Sequence, residues 1–288
     1  MLSTATKVHL ARVLASTLVH VGLEPRRRIR RQGISFEIDI REGIDLSLFL
    51  FGSFQSHVTD AIERFAPING VVIDVGANIG AVTLPVAALL ERGRVIAFEP
   101  TDYAFAKLRR NLELNPAFSA RVTPVQTFVG ERSAPKSDLV AYSSWPVLGA
   151  DDSSVHPIHK GVVKDASCGQ TSLDDYVFGE GLSPVSVIKI DTDGNEFAVL
   201  SGATKCLAKH RPIVIFEACA YLMVKPAPVF EDFAKLFEAS DYLICWGERL
   251  VPMTADSFAQ VCPAGGGLDL IAVPRERHAK LSQKGREP

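Results

Sequence analysis

No Cys-x-x-Cys pair occurs in this 288-residue chain, and its five cysteines, Cys168, Cys206, Cys219, Cys245 and Cys262, are odd in number and widely spaced. That pattern argues against a zinc site and a disulfide framework and leaves reduced thiols, the form expected in a cytoplasm. Neither sign of charge dominates: 31 Lys and Arg stand against 33 Asp and Glu, a net charge of -2, so no global field holds a polyanion. Long apolar runs are missing too. Val8 to Leu23 is interrupted by Arg12 and His20 and spans only 16 residues, too short for a membrane-crossing helix, and no small-residue cleavage site follows a basic start. It reads as an amphipathic helix packed on the domain or on a second copy of the chain. Repeats and low-complexity blocks are absent. The one concentration of charge is Arg26-Arg27-Arg28-Ile29-Arg30-Arg31. Such a run suits nucleic acid or acidic lipid headgroups, but its place in a joint between two segments favours a solvated charged face.

What is present is globular: 47% hydrophobic and 22% charged residues, in a length natural for one α/β domain with an extension or an insert. Residues 1–68 read as an N-terminal extension. It comprises the helix, the basic joint, a β-hairpin running from Ile34 to Ile40, turning near Glu42-Gly43 and returning through Leu46 to Phe51, and a helix with Val58, Ile62 and Phe65 on one face. From Val71 to about residue 275, strands alternate with helices, which predicts a doubly wound, mostly parallel seven-stranded sheet. The strands are expected at Val71 to Val75, Val95 to Phe98, Arg121 to Phe128, Val185 to Ile190, Ile213 to Phe216, Tyr242 to Trp246 and Leu268 to Val273. Pro124 cannot donate to a ladder, so the third strand belongs at an edge or bulge. Helices are expected after Thr101 or Asp102, with Phe105, Leu108 and Leu112 as one stripe, at Asn195 to Lys209 and at Pro228 to Ala239. A long insert before the fourth strand, residues 131–170, is rich in Ser, Asp, Pro and Gly and lacks a sustained period. It is expected to shape acceptor recognition, with Trp145, His156 and His159 as candidates. Residues 276–288 read as a polar tail.

The chemistry concentrates at the ends of the first strands. Val71-Val72-Ile73-Asp74-Val75 suits a strand buried on both faces, and Gly76-Ala77-Asn78-Ile79-Gly80 is the turn into a helix. Glu99 closes the second strand, where a carboxylate accepts hydrogen bonds from both hydroxyls of a ribose. Asp74, Gly76, Asn78, Gly80 and Glu99, with Phe128, are therefore candidates for holding a nucleoside-bearing cofactor. The dinucleotide fingerprint is the rival, but its second glycine is Asn78 here. Asp74 would also repel a pyrophosphate by about 4 kcal/mol per charge pair at ~4 Å and an effective dielectric of ~20. S-adenosylmethionine has no phosphate and carries an ammonium and a sulfonium, so the same charge attracts it.

A second cluster, Lys189-Ile190-Asp191-Thr192-Asp193-Gly194-Asn195-Glu196, leaves the fourth strand. Three acids so close raise a metal hypothesis, yet Asp193 and Glu196 have capping-box spacing, and no metal site is expected. Asp191 is left to project into the crevice, where it would orient or deprotonate an incoming hydroxyl. Glu217, ending the fifth strand, is a second acceptor-side candidate or else a turn cap.

Taken in order, Ile73 to Gly80, Ala97-Phe98-Glu99-Pro100, Thr171-Ser172-Leu173-Asp174, Ile188-Lys189-Ile190-Asp191 with Gly194 and Glu196, and Gly202-Ala203 resemble the FkbM-type methyltransferases, as do Ser153-Ser154 in the insert. The resemblance spans roughly Phe36 to Phe216. It implies a class I, Rossmann-like fold and S-adenosylmethionine-dependent methylation of a hydroxyl on a sugar, polyketide or other secondary metabolite. Asp74, Gly76, Asn78, Gly80 and Glu99 would bind the donor, and Asp191 would lie near the transfer site. Two departures bear on the acceptor side: Thr192-Asp193-Gly194 stands where the family more often has a hydrophobic residue, Glu and Gly, and Gln55 where a glutamate is common. Asp191-Thr192-Asp193-Gly194 is also unlike the Asn/Asp-Pro-Pro-aromatic tetrad that stacks a flipped base, so a nucleic-acid partner is not expected, and nucleic-acid methylation stays a rival. A non-catalytic donor-binding protein is the other alternative. The N-terminal extension leaves room for a homo-oligomer.

Overall fold

A computed structural model of the chain describes residues 4–148, 156, 161–263 and 265–284. The extension runs as α1 (Thr4–His20), β1 (Arg26–Arg31), β2 (Ile34–Asp39), α2 (Gly43–Phe51) and α3 (Ser56–Phe65). The domain proper follows as β3 (Val71–Val75), α4 (Thr83–Leu89), β4 (Arg94–Phe98), α5 (Asp102–Glu113), α6 (Pro116–Ser119), β5 (Val122–Val125) and β6 (Phe128–Val129). Next come β7 (Tyr142–Ser144), β8 (Val162–Val163), β9 (Gln170–Thr171), α7 (Leu173–Gly179), β10 (Val185–Ile190), α8 (Glu196–Ser201) and α9 (Thr204–His210). The chain closes with β11 (Ile213–Cys219), α10 (Phe230–Ala239), β12 (Tyr242–Trp246), β13 (Val251–Pro252), α11 (Ala255–Val261), β14 (Gly267–Pro274) and α12 (Arg275–Lys284).

The central sheet has the order β13-β12-β14-β11-β10-β3-β4-β5. The seven expected strands are all in it, joined at one edge by the two-residue β13. β3, β4, β5, β10 and β11 are parallel neighbours, and β14 is inserted antiparallel between β11 and β12. Read from the first core strand, this is the 3-2-1-4-5-7-6 order of the class I, Rossmann-like methyltransferase fold. Winding reverses at β3, with β4 on one side and β10 on the other, so a crevice opens beyond the carboxyl ends of these strands. Helices cover both faces. Val72 and Val187 pack with α3, α4 and α5 on one face, while Ile73, Val75, Ile188 and Ile190 pack with α7 to α10 on the other. Pro124 sits in edge strand β5, where its missing N–H costs no ladder bond.

Local chemistry explains most elements. In α3, Val58, Ile62 and Phe65 recur at helical spacing and are buried. The Thr101 hydroxyl caps α5 by accepting from the Ala104 N–H, and Leu108 and Leu112 face the core. At the expected long helix from Asn195 to Lys209 the chain instead makes two. A Cβ on Gly202 would lie 2.2 Å from the Gly130 carbonyl oxygen, and the Asp174 carboxylate accepts from the N–H groups of Lys205 and Cys206, starting α9 afresh.

Four expectations are corrected. The basic run is strand β1, not a joint: it pairs antiparallel with β2, setting Arg26 opposite Asp39 and Arg28 opposite Glu37 as cross-strand ion pairs. The hairpin is therefore β1–β2, and Gly43–Phe51 is helix α2 rather than a returning strand, because β2 has already found its partner upstream. α2 is pinned by buried Asp45, whose carboxylate meets Lys107 Nζ at 2.7 Å. The third core strand stops at Val125; Phe128 and Val129 leave the sheet to pair with Gln170 and Thr171 at the base of the insert. Residues 276–284, expected as the start of a tail, belong to α12, which Arg211 anchors through Glu276 at 2.7 Å and Arg64 through the Leu281 carbonyl at 2.6 Å.

Gly80 shows what the βα turn demands. Its φ is +88°, and an added Cβ would lie 2.3 Å from Leu84 Cδ1 and 2.9 Å from Leu108 Cδ1. Gly33 has a similar φ of +83° but open space around it. Gly33→Ala is expected to cost about 1–2 kcal/mol from backbone strain alone, and Gly80→Ala a further ~1–3 kcal/mol from overpacking. Urea denaturation midpoints of the two variants check the difference.

Candidate functional site

The crevice opens into a cavity of about 670 Å³. Its walls come from three sources: the strand ends of the sheet, the insert, and helices α1 and α2 of the extension. Of the sequence-predicted residues, Gly76, Asn78, Glu99, Phe128, Asp191 and Glu217 line it, whereas Asp74 and Gly80 do not.

At the β3 turn, Gly76 has φ +82°, and a Cβ there would lie 1.8 Å from the Asp191 carbonyl oxygen. Only glycine lets the ends of β3 and β10 approach this closely. Asn78 adopts a left-handed φ of +48°, which asparagine tolerates better than most residues. Its backbone N–H donates to Glu99 Oε2 at 3.0 Å, and its side-chain amide donates to the Ser143 carbonyl in the insert at 3.3 Å. Glu99 is 3% exposed. Its other oxygen accepts from the Thr101 N–H at 3.0 Å and the Thr101 hydroxyl at 2.6 Å. Burial pushes the Glu99 carboxyl above its ordinary range, opposed by these donors. With Oε2 taking a single protein donor, capacity remains for a ligand hydroxyl.

Asp74 lies beneath the wall rather than on it. It is 1% exposed and accepts from the Thr83 hydroxyl at 2.6 Å, while Lys189 Nζ stands 3.0 Å from its other oxygen. Lys189 is also buried, pairs with Asp74 across the β3–β10 register, and donates to the Gly76 carbonyl at 3.0 Å. Burial works to lower the Lys189 pKa, but Asp74 and Asp191 outweigh it and hold the ammonium charged. Asp74, expected from the sequence to attract a ligand, is paired with Lys189 behind the lining, and the ion pair fixes the turn whose backbone faces the cavity. Lys189 was quoted in the motif but assigned no role; a lysine inside an otherwise apolar buried strand was the available signal, since such a charge must be paired.

Beyond the lysine the wall is acidic. Asp191 Oδ2 accepts from Gln55 Nε2 at 2.9 Å and lies 3.8 Å from Lys189 Nζ. Glu217 follows Phe216, the register partner of Ile190, and so stands level with Asp191 on the neighbouring strand. Glu217 is inside β11 rather than at its end and caps no helix. Asp193 was expected to share a capping box with Glu196 and does not. Glu196 folds back instead, accepting from the Thr192 N–H at 2.8 Å and the Gly194 N–H at 3.0 Å, because the tight turn at Asp193, φ +53°, points these donors at it. Asp193 is released to line the cavity. Burial raises the carboxyls of Asp191, Asp193 and Glu217 above their ordinary range, Asp193 and Glu217 well above it, with repulsion from neighbouring acids adding to the effect of burial. Gln55, noted in the sequence only as a departure from the family pattern, holds a left-handed φ of +47°, and its buried Oε1 has no hydrogen-bond partner among the described residues.

The insert is fastened over the site by Glu42, whose carboxylate accepts from the Ser144 hydroxyl at 2.9 Å and the Trp145 N–H at 2.9 Å. Trp145 lines the cavity. His156 stands edge-on to Tyr142, with ring centroids 5.5 Å apart, behind the wall. His159 and Ser153-Ser154 lie outside the described residues.

This fold with this crevice defines a class I methyltransferase architecture. The sequence model of the methyltransferase FkbM domain matches residues 74–244, and the chain belongs to the FkbM methyltransferase family. It is 32% identical to the AMB antimetabolite synthetase AmbE of Pseudomonas aeruginosa, over 52% of this chain and 8% of that protein. It is 29% identical to Methyltransferase 1 of Beauveria bassiana, over 47% of this chain and 59% of that one. The chain thus spans less than two thirds of either relative. The crystal structure of methyltransferase FkbM from Methylobacillus flagellatus aligns with a TM-score of 0.44 at 18% identity, over 72% of this chain and 44% of that one.

Two outcomes test the site's electrostatics. Lys189→Met leaves Asp74 buried without a counter-charge and is expected to cost about 3–5 kcal/mol in chemical denaturation. Asp193 and Glu217 bind protons more tightly folded than unfolded, so stability of the ligand-free protein falls as pH rises from the ordinary carboxylate range through their raised values. Glu217→Gln is expected to flatten melting temperature against pH between about pH 5 and 8, and to raise it at the upper end by ~2–4 °C for each kcal/mol relieved.

Proposed function

We propose that the protein transfers the methyl group of S-adenosylmethionine to a hydroxyl oxygen of a small acceptor such as a sugar, polyketide or other secondary metabolite. The observation that carries this reading is the charge of the wall: besides Glu99, three carboxylates, Asp191, Asp193 and Glu217, line the cavity, and Lys189, which lines it with them, is shared among Asp74, Asp191 and the Gly76 carbonyl. Such a wall favours a ligand with cationic centres and opposes a pyrophosphate. The cradle fits the donor in two further respects. Gly76 leaves a close backbone surface, and Glu99 keeps acceptor capacity for ribose hydroxyls beside Phe98 and Phe128, which offer apolar faces to a base.

When bound, S-adenosylmethionine supplies a methyl group on a positively charged sulfur, a good leaving group. The chain's own contribution is position and charge. Asp191, held by Gln55 and Lys189, is fixed in direction and accepts the hydrogen bond of an incoming hydroxyl, aligning its oxygen. Its raised affinity for protons brings it closer to an alcohol's proton than a free aspartate would be. Glu217 stands beside it as a second proton-holding group. The wall also excludes water from the reacting atoms through Trp145 and Tyr142 of the insert.

A nucleic-acid acceptor is less well supported, because two of the exposed arginines of β1, Arg26 and Arg28, are paired with Asp39 and Glu37. Among the described residues, no helix is long and apolar enough to cross a membrane.

Calorimetry with adenosylhomocysteine tests the reading: heat with this ligand and none with NAD or NADP supports it, and the reverse result rejects it. Glu99→Gln is expected to weaken adenosylhomocysteine binding by about 1–3 kcal/mol. Asp191→Asn is expected to leave that affinity within about 0.5 kcal/mol while slowing transfer of a labelled methyl group by ~100-fold or more.

A further inference from the structure

The cavity is larger than its acidic end. From Gln55 it continues between α1 and α2, where Leu10, Leu14, Ile44, Leu50 and Phe54 are wall residues and, among the described residues, no charged side chain of either helix reaches the lining. Leu10 and Leu14 lie on one face of α1 at i, i+4 spacing, and Ala15, fully buried, keys that helix onto the core. Arg12 Nε ties it to the Val147 carbonyl of the insert at 3.3 Å. At the mouth, Leu10 is 51% exposed, Leu14 38%, Leu50 37% and Phe51 76%. Single exposed apolar residues are ordinary; four converging on the rim of one cavity mark a ligand surface. This dry stretch is continuous with the site: Phe54 is followed in the chain by Gln55, which donates to Asp191 Oδ2 at 2.9 Å. At the junction, Gln55 Oε1 is a buried acceptor with no donor among the described residues.

We infer that the acceptor is an amphiphile: a hydroxyl-bearing head that donates to Gln55 Oε1 and Asp191, and an unbranched apolar chain laid in the channel between α1 and α2. The inference deepens the methyl-transfer reading and rests on it. A compact, fully polar sugar would satisfy the acidic end but leave Leu14, Leu50 and Phe54 facing water. An apolar chain covers them, and its length sets affinity through the area it removes from water.

The test uses the full chain saturated with adenosylhomocysteine and titrated calorimetrically with straight-chain primary alcohols from butanol through hexanol to decanol. Affinity is expected to rise about three- to four-fold per added methylene and then level off once the channel is filled. Leu14→Asp and Leu50→Asp change partly exposed side chains, so the fold is expected to survive; unaltered adenosylhomocysteine affinity verifies this. In both variants the chain-length dependence is expected to collapse. Gln55→Leu is expected to lower affinity for every alcohol by a similar factor without changing the slope, since it removes the head's acceptor and not the channel. Affinity that does not vary with chain length, or a slope unchanged in Leu14→Asp and Leu50→Asp, overturns the inference while the donor still binds. Absence of adenosylhomocysteine binding overturns the methyl-transfer reading itself. Pelleting with phosphatidylglycerol vesicles assigns the amphiphile to a bilayer lipid, and a protein that stays in the supernatant assigns it to solution.

Discussion

The buried ion pair between Asp74 and Lys189 is the constraint on which the site depends. Both charges stand on adjacent parallel strands in direct register, and both are almost wholly removed from water. Desolvating two such groups is costly, and the cost is offset only by close geometry and by further hydrogen bonds. Here those bonds are the Thr83 hydroxyl on Asp74 and the Gly76 carbonyl on Lys189. The pair therefore locks the turn after β3 to the end of β10, the two segments that border the crevice. It also bears on the acidic character of the cavity: the ammonium beside Asp191 is shared with Asp74.

With that cation committed, the three wall carboxylates are left short of positive charge and hold protons above their usual range. Repulsion of this kind is a latent binding energy, released by a ligand that brings its own positive charge. On the proposed reading the same arrangement discriminates against phosphates, and charge sign rather than shape selects the ligand class. Shape governs the other half of the cavity, where α1, α2 and the insert surround the strand ends with apolar and aromatic side chains. Glu42 couples these two additions by holding the insert with the first residues of the α2 segment.

Much of the domain was legible from sequence because its signals are local. Apolar runs bounded by Gly, Pro and Asp marked the seven core strands, and the residues at their carboxyl ends marked the crevice. The misreadings share one cause. The Ile34–Ile40 alternation identifies a strand but not its partner, and the arginine run looked like a linker because charge was read as solvent exposure. In the structure, opposite charges on Glu37 and Asp39 make that run the partner strand. Likewise the Asp193–Glu196 spacing is that of a capping box, yet the left-handed backbone at Asp193 turns the donors of Thr192 and Gly194 toward Glu196 alone.

The succession of strands and helices along the chain, the glycine turn and the presence of acids at the strand ends were determined by the sequence itself, since each follows from residue type and spacing along a few consecutive positions. Which acid faces the cavity and which is spent on a lysine was decided only by tertiary structure. Asp74 and Lys189 are far apart in the chain, and only the pairing of β3 with β10 sets one charge against the other. The apolar channel is likewise assembled from helices before the domain and an insert within it, and no local pattern records that they meet. Burial and register are properties of the assembled sheet, and they set the Asp74 carboxylate against Lys189 beneath the cavity lining.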